Sequence, residues 1–117
     1  MATYTRADLV RSVLSELGVI DGAEAPEAED YALTDARCQQ ELERLHEDGM
    51  VTFDVDGLIP ARYFALLVPL IASTLINAYG VMARREGIKE DAREALRGLA
   101  RLRQKPDLGS VTQATYY

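Results

Sequence analysis

A long apolar run, YFALLVPLIASTLINAYG at residues 63–80, constrains the fold of this chain more than any other feature. Pro69, Ser73, Thr74 and Asn77 interrupt the run, and the chain as a whole is acidic, with a formal net charge of −6. Although the length is borderline for a membrane span, we therefore interpret the run as a helix that the rest of the protein buries on most sides. Pro69 is expected to kink this helix or to divide it in two.

The length and composition of the chain predict one domain with a core of its own. The chain has 117 residues, of which 48% are apolar, and a domain of this size buries roughly two thirds of its unfolded surface without disulfides. Cys38 is the only cysteine, so no internal disulfide can form. The acidic balance argues against a surface that grips nucleic acid phosphates. The first apolar stretch, residues 9–20, includes Arg11 and Glu16, so we predict no signal peptide and a protein that is cytosolic where it is made.

Two helices are predicted before the apolar run. The first begins after Thr5, an N-cap with Asp8 as its capping-box partner, and Gly18 is the expected C′ residue. The second has Pro26 in its first turn, carries a narrow apolar strip on a polar helix, and ends at Gly49.

A short β element is predicted between the second helix and the apolar run. In this segment Val51, Phe53 and Val55 alternate with polar residues, which is the two-residue period of a strand. A turn is expected at Gly57, and Pro60 is expected to stop any ladder. The sequence therefore predicts a β-ribbon insertion at about residues 50–59.

The last helix is predicted over residues 89–103, because its apolar residues fall on one side and Pro106 follows. The predicted fold class is all-α: a small four-helix domain with a short β-ribbon insertion and an extended C-terminal arm. Residues 1–106 would form the helical domain, and residues 107–117 the arm. We expect the core to combine the apolar run with the strips of the other helices, through Leu67, Leu70, Ile71, Leu75, Ile76, Leu14, Leu17, Leu42 and Leu96.

No catalytic, cofactor-binding or metal-binding site is predicted. His46, the only histidine, lies near a helix end, where it interacts favourably with the helix dipole. Cys38 lies on the apolar strip of its helix and is interpreted as a small buried side chain. Asp54 and Asp56 are explained as the solvent-facing side of the ribbon. We therefore expect neither enzymatic activity nor dependence on a metal or nucleotide.

Basic residues concentrate in the last part of the chain. Arg93, Arg97 and Arg101 are candidates for a subunit interface or for the lining of a channel. One interpretation is a solvated helix face on which nearby acidic residues balance the arginines. The other is that some arginines meet an acidic neighbouring subunit or DNA. The chain is acidic before Gly80 and basic after it, and such polarity would suit head-to-tail association into a ring.

The order of three features resembles the head–tail adaptor proteins of tailed bacteriophages, also called head-completion or packaged-DNA stabilisation proteins. The features are a capped helix ending in SELGV, a long polar helix AEDYALTDARCQQELERLHEDG, and a proline-opened apolar helix closing in AYG. The resemblance covers about residues 4–103. Many relatives carry a tryptophan just after the second helix, and this chain has none.

The resemblance implies a structural virion protein rather than an enzyme. Proteins of this kind form a homo-oligomeric, commonly dodecameric, ring beneath the portal protein. The ring extends the DNA channel, lets DNA pass without sequence-specific binding, and offers a docking surface to the tail or stopper protein. Assembly would take place in the host cytoplasm, at no membrane, and the final location would be the head–tail interface of the virion.

The C-terminal arm is the predicted partner-binding segment. It is largely uncharged and β-tolerant, which suits addition of a strand to the sheet edge of a portal or a neighbouring subunit. Ordering about ten residues costs on the order of 10 kcal/mol, so we expect the arm to be ordered only against a partner. The alternative is a frayed end that binds nothing. The residues assigned to this contact are Val111, Thr112, Gln113, Ala114, Thr115, Tyr116 and Tyr117.

Two other functions are compatible with the sequence. The first is a stand-alone cytosolic helical module, a regulator or antitoxin-like protein, that binds one protein partner and has a disordered tail. The second is a small membrane-associated protein built on residues 63–79. A ring that forms with the portal would separate the adaptor from the first, and solubility without detergent would exclude the second.

Overall fold

The computed structural model describes residues 2–21 and 24–104, which contain five α-helices and one two-stranded sheet. The predicted mainly helical class with a small β element is confirmed. The predicted arm, residues 107–117, and the predicted boundary at 106 lie outside the described residues. In chain order the elements are β1 (Thr3–Tyr4), α1 (Arg6–Glu16), α2 (Ala28–Glu47), β2 (Ile59–Pro60), α3 (Ala61–Ser73), α4 (Ile76–Tyr79) and α5 (Arg85–Gln104).

Helix α3, the first part of the apolar run, organises the fold. It packs on α5 and on α1, and α2 packs on α1. Its side chains Leu67 and Ile71 are fully buried, as predicted. The other predicted core residues are also buried except Leu96, whose placement in the core was wrong: Leu96 is 43% exposed. It lies at the edge of the apolar strip of α5, and Leu99 takes the buried position one turn away.

Helix α1 begins and ends as its sequence predicts. The Thr5 hydroxyl oxygen accepts from the Asp8 backbone N–H at 3.1 Å, and an Asp8 carboxylate oxygen accepts from the Thr5 backbone N–H at 3.0 Å. These two bonds form a complete capping box. Gly18 follows the helix at φ 78°, a left-handed conformation that glycine adopts without the penalty of a Cβ atom.

Helix α2 starts slightly later than predicted. Pro26 lies before the helix, and Glu27 is the N-cap. The helix ends as expected, with Gly49 at φ 74°. Two side chains of α2 attach it to the end of the apolar run. Arg37 donates to the Thr74 carbonyl at 2.9 Å, and the buried Thr34 hydroxyl lies 3.3 Å from the Tyr79 hydroxyl.

The apolar run divides at a different residue from the one predicted. Pro69 lies inside α3, and the run breaks at Thr74 and Leu75, between α3 and the short α4. The Ser73 and Thr74 hydroxyls each donate to a carbonyl three residues earlier, at 2.6 Å, so they compete with the backbone donors that would continue the helix. The break therefore depends on hydroxyl side chains and on Arg37, and the described structure has five helices instead of four.

The predicted ribbon over residues 50–59 was wrong in its pairing. Residues 51–58 form an irregular loop, in which the Gly57 N–H donates to the Asp54 carbonyl at 2.9 Å. The two-residue period is nevertheless real, because Val51 is buried and Phe53 and Val55 are half-buried. The alternation therefore reflects a loop lying against the core, and not a strand.

The strand that is present in this region, β2, pairs with β1 near the N-terminus. Thr3 lies opposite Pro60 and Tyr4 opposite Ile59, in antiparallel register. The Ala61 N–H donates to the Ala2 carbonyl at 3.2 Å. Successive backbone nitrogens of an antiparallel strand point alternately toward and away from the partner strand, so the nitrogen of Pro60 faces away from β1. Pro60 therefore costs the ladder no hydrogen bond, contrary to the expectation that it would stop one.

Helix α5 begins four residues earlier than predicted, at Arg85, and approaches α3 closely at Gly98. A Cβ atom at Gly98 would lie 2.9 Å from a methyl carbon of Leu66. The absence of a side chain at Gly98 therefore lets the two helices pack closely at this point.

Candidate functional site

The seven arm residues assigned to partner binding, 111–117, lie outside the described residues. Their role stays a prediction. The end of α5, from which the arm continues, lies near the end of α2, because Arg103 reaches the Asp48 carbonyl at 3.5 Å.

The three candidate arginines of α5 lie together on its exposed side. Arg93 pairs with Glu90 at 3.6 Å, and Arg97 and Arg101 pair with Glu94 at 2.5 Å and 3.9 Å. We call these five residues the self-paired strip. All five side chains are more than half exposed, so each ion pair contributes little to stability. The pairs do, however, compensate the arginine charge locally, which weakens any attraction to phosphate.

An open cleft of about 440 Å³ lies between α1 and the start of α3. The rings of Tyr4 and Phe64 stack in its wall, with their centroids 4.1 Å apart. Arg11, Ser12 and Ser15 of α1 line it as well. The wall therefore combines an aromatic surface with hydroxyl groups, one exposed cation and the exposed carboxylate of Asp8.

A second cleft, of about 240 Å³, lies between the end of α1 and the start of α5. Arg84 lies 3.8 Å from Glu16 here, and Asp91 and Gly87 also line the space. Arg84 also lies 3.8 Å from the position that a Cβ atom at Gly18 would occupy. The cleft therefore belongs to the ion-paired joint between the two helices.

The structure places the polar residues considered for chemistry as the sequence predicted, with Cys38 buried, His46 near a helix end, and Asp54 and Asp56 facing solvent. Cys38 is fully buried in α2, and burial raises the pKa of its thiol to about 12. His46 is exposed in the last turn of α2, and Asp54 and Asp56 are exposed in the loop. Among the described residues, no three histidine, cysteine, aspartate or glutamate side chains are grouped as metal ligands would be.

We expect Cys38 to resist alkylation in the folded protein. Thiolate is the reactive form, and a pKa of about 12 leaves almost none of it at pH 8. Iodoacetamide at pH 8 should label the thiol in urea but not in buffer. In the unfolded chain the thiol ionises near its ordinary pKa. The raised pKa of the folded state therefore contributes to stability at pH values below the ordinary pKa. This contribution to stability is lost as the pH rises from there toward 12. Rapid labelling in buffer would show that the thiol is accessible.

Sequence reasoning missed three features of the surface. They are the aromatic cleft, the separation of α5 into one side where arginines pair with glutamates and another on which all charged residues are basic, and the exposure of Leu96. The aromatic cleft forms only because β1 (Thr3–Tyr4) pairs with β2 (Ile59–Pro60), and no local sequence pattern indicates that pairing. The charge division was readable from the three- and four-residue spacing of α5.

Comparison with protein-family models, curated proteins and solved structures produced no match. In the described part of the chain, no helix is both long enough and apolar enough to cross a membrane.

Proposed function

We propose that this protein is a head–tail adaptor of a tailed bacteriophage, a subunit of a ring that docks under the portal, extends the DNA channel and connects to the tail. The observation that carries the proposal is the order of features along the chain: the capped helix ending in SELGV, the long polar helix that begins with AED, and the proline-opened apolar run closing in AYG.

Each of these features is an ordered element. SELGV ends α1 and continues through Gly18, and the AED stretch opens the 20-residue α2. The closing glycine of AYG, Gly80, has φ 63° and caps α4 in the left-handed conformation. All three sequence features therefore coincide with helices of this chain or with their ends.

The charges of the self-paired strip of α5 suit a surface past which DNA slides. The self-paired strip carries three arginines, but two glutamates of the same helix balance much of that charge. Such a surface offers phosphate little net attraction, and counterion release, which drives most DNA binding, would be small.

Light scattering of the protein alone and with the portal ring of the same phage tests the proposal. We expect the mass of the portal particle to increase by a ring of this chain, with no need for metal or nucleotide. If the portal particle keeps its mass, the adaptor proposal is wrong, and the alternative of a stand-alone helical interaction module gains support.

A further inference from the structure

Helix α2 presents an acidic strip to solvent. The residues of this strip recur at alternating intervals of four and three, so they lie on one side of the helix, and all are exposed. Leu33, which is 44% exposed, gives the strip an apolar centre together with an alanine. We define the acidic strip as Glu29, Leu33, Ala36, Gln40, Glu43 and Glu47.

Helix α5 also presents a basic strip, which shares Arg93 with the self-paired strip. Its residues recur every three or four positions, are exposed or half-buried, and include no acidic residue. Leu96, 43% exposed, again lies at an apolar centre with an alanine. We define the basic strip as Arg85, Lys89, Arg93, Leu96, Ala100 and Arg103.

The two strips are complementary when the helices run antiparallel. Placing Ala36 opposite Leu96 brings Leu33 to within one residue of Ala100, so each leucine lies beside an alanine of the other helix. The same register brings three acidic residues opposite three basic ones, because both strips span 19 residues, and Arg93 lies beside the neutral Gln40. The charged pairs are Glu29 with Arg103, Glu43 with Lys89, and Glu47 with Arg85.

This antiparallel pairing cannot form within one chain. The acidic strip is exposed throughout in the folded chain, so the basic strip of the same chain does not cover it. In addition, Arg103 reaches the Asp48 carbonyl at 3.5 Å. The C-terminal ends of α2 and α5 are therefore neighbours in one chain, whereas antiparallel pairing would place the end of one helix beside the start of the other.

We propose that the acidic strip of α2 binds the basic strip of α5 of a second copy of this chain, antiparallel, with Ala36 against Leu96. The contact that we propose is heterologous: each copy presents its acidic strip to one neighbour and its basic strip to another. Heterologous contacts repeat from copy to copy and close into a ring where the rotation permits. Closure into a ring under the portal rests on the proposed adaptor function, but the contact itself does not.

The contact should be weak for a single pair of copies. Each strip spans 19 residues, or about 28 Å of helix at 1.5 Å per residue, and such a narrow contact buries less than a standard interface. We therefore expect association of the free protein only between micromolar and millimolar concentration, and less of it at high salt. In a ring, simultaneous contacts on both sides would strengthen each one.

Charge reversal of either strip provides the test by sedimentation velocity. Glu43→Lys with Glu47→Lys reverses the acidic strip, and Arg85→Glu with Lys89→Glu reverses the basic strip. Each variant alone should stay monomeric where the unaltered protein associates. An equimolar mixture should associate again, because each strip then finds an oppositely charged strip on the other variant.

Matched controls carry the same charge changes elsewhere. Asp21→Lys with Asp56→Lys changes two exposed loop acids, and Arg97→Glu with Arg101→Glu changes the self-paired strip of the same helix. Both controls should associate like the unaltered protein. The proposal is overturned if the unaltered protein stays monomeric at millimolar concentration, if either strip variant still associates alone, if the mixture stays monomeric, or if a control loses association.

A cross-link tests the register independently of the charge variants. In a Cys38→Ala background, chains with Ala36→Cys mixed with chains with Leu96→Cys should form a disulfide dimer of one chain of each kind, and neither should form one alone. Absence of the mixed dimer would contradict the register. Failure to bind a portal would leave these results unchanged, so it would count against the adaptor function only.

Discussion

Leu75→Ala should lower the free energy of unfolding by about 2–5 kcal/mol, the range for large-to-small truncations in a core. Leu75 is fully buried and lies at the break between α3 and α4, where Thr74 and Arg37 already hold the backbone in place. The cavity cannot collapse easily there, because the hydrogen bonds of the break restrict both helix ends. Urea unfolding at neutral pH would measure the loss.

Leu96→Ala is the matched control, since it makes the same chemical change at a side chain that is 43% exposed. Its cost should stay within about 1 kcal/mol, because less apolar surface returns to water on unfolding. Equal losses at the two positions, or a loss below about half a kcal/mol at Leu75, would mean that the apolar run is not the centre of the core.

Deleting residues 109–117 should weaken attachment to the portal by about tenfold or more, while the melting temperature of the free protein stays nearly unchanged. The helices pack through a core that runs from Leu9 to Leu99, so we expect the free domain to keep its stability without this segment. The arm would supply main-chain hydrogen bonds and two tyrosine side chains to its partner, and every subunit of a ring would repeat that contact.

A control for the arm deletion replaces residues 109–117 with a Gly/Ser segment of equal length. It should bind the portal as weakly as the deletion does, because length alone provides neither side chains nor β propensity. Unimpaired binding by the deletion variant would show that the arm is only a frayed end.

The parts of the fold that sequence predicted are those that local chemistry determines. The capping box of Thr5 and Asp8, the left-handed glycines and the burial of Leu67 each follow from residues close in the chain. The pairing of Tyr4 with Ile59 was missed because it joins segments far apart in sequence. The break at Thr74 was missed because proline is the stronger local signal, while a distant arginine, Arg37, stabilises the actual break.

The candidate surfaces show the same division. The spacing of the arginines on α5 was visible in the sequence, but which acidic residue pairs with each, and that Leu96 is exposed beside them, depended on how α5 is rotated against α3. That rotation is set by close contacts such as the one between Gly98 and Leu66. The acidic strip of α2 became recognisable as a surface only once its six residues were known to be exposed together.

Electron cryomicroscopy of the portal ring incubated with this protein tests the adaptor function most directly. We predict a ring of helical domains around the channel beneath the portal. The ring should contain twelve copies, as is common among the head–tail adaptor proteins that this chain resembles. Each domain should fit the described fold, and density for residues 107–117 should extend onto the portal or a neighbouring subunit. A portal ring without added density, or one bound by a single copy away from the channel axis, would contradict the account.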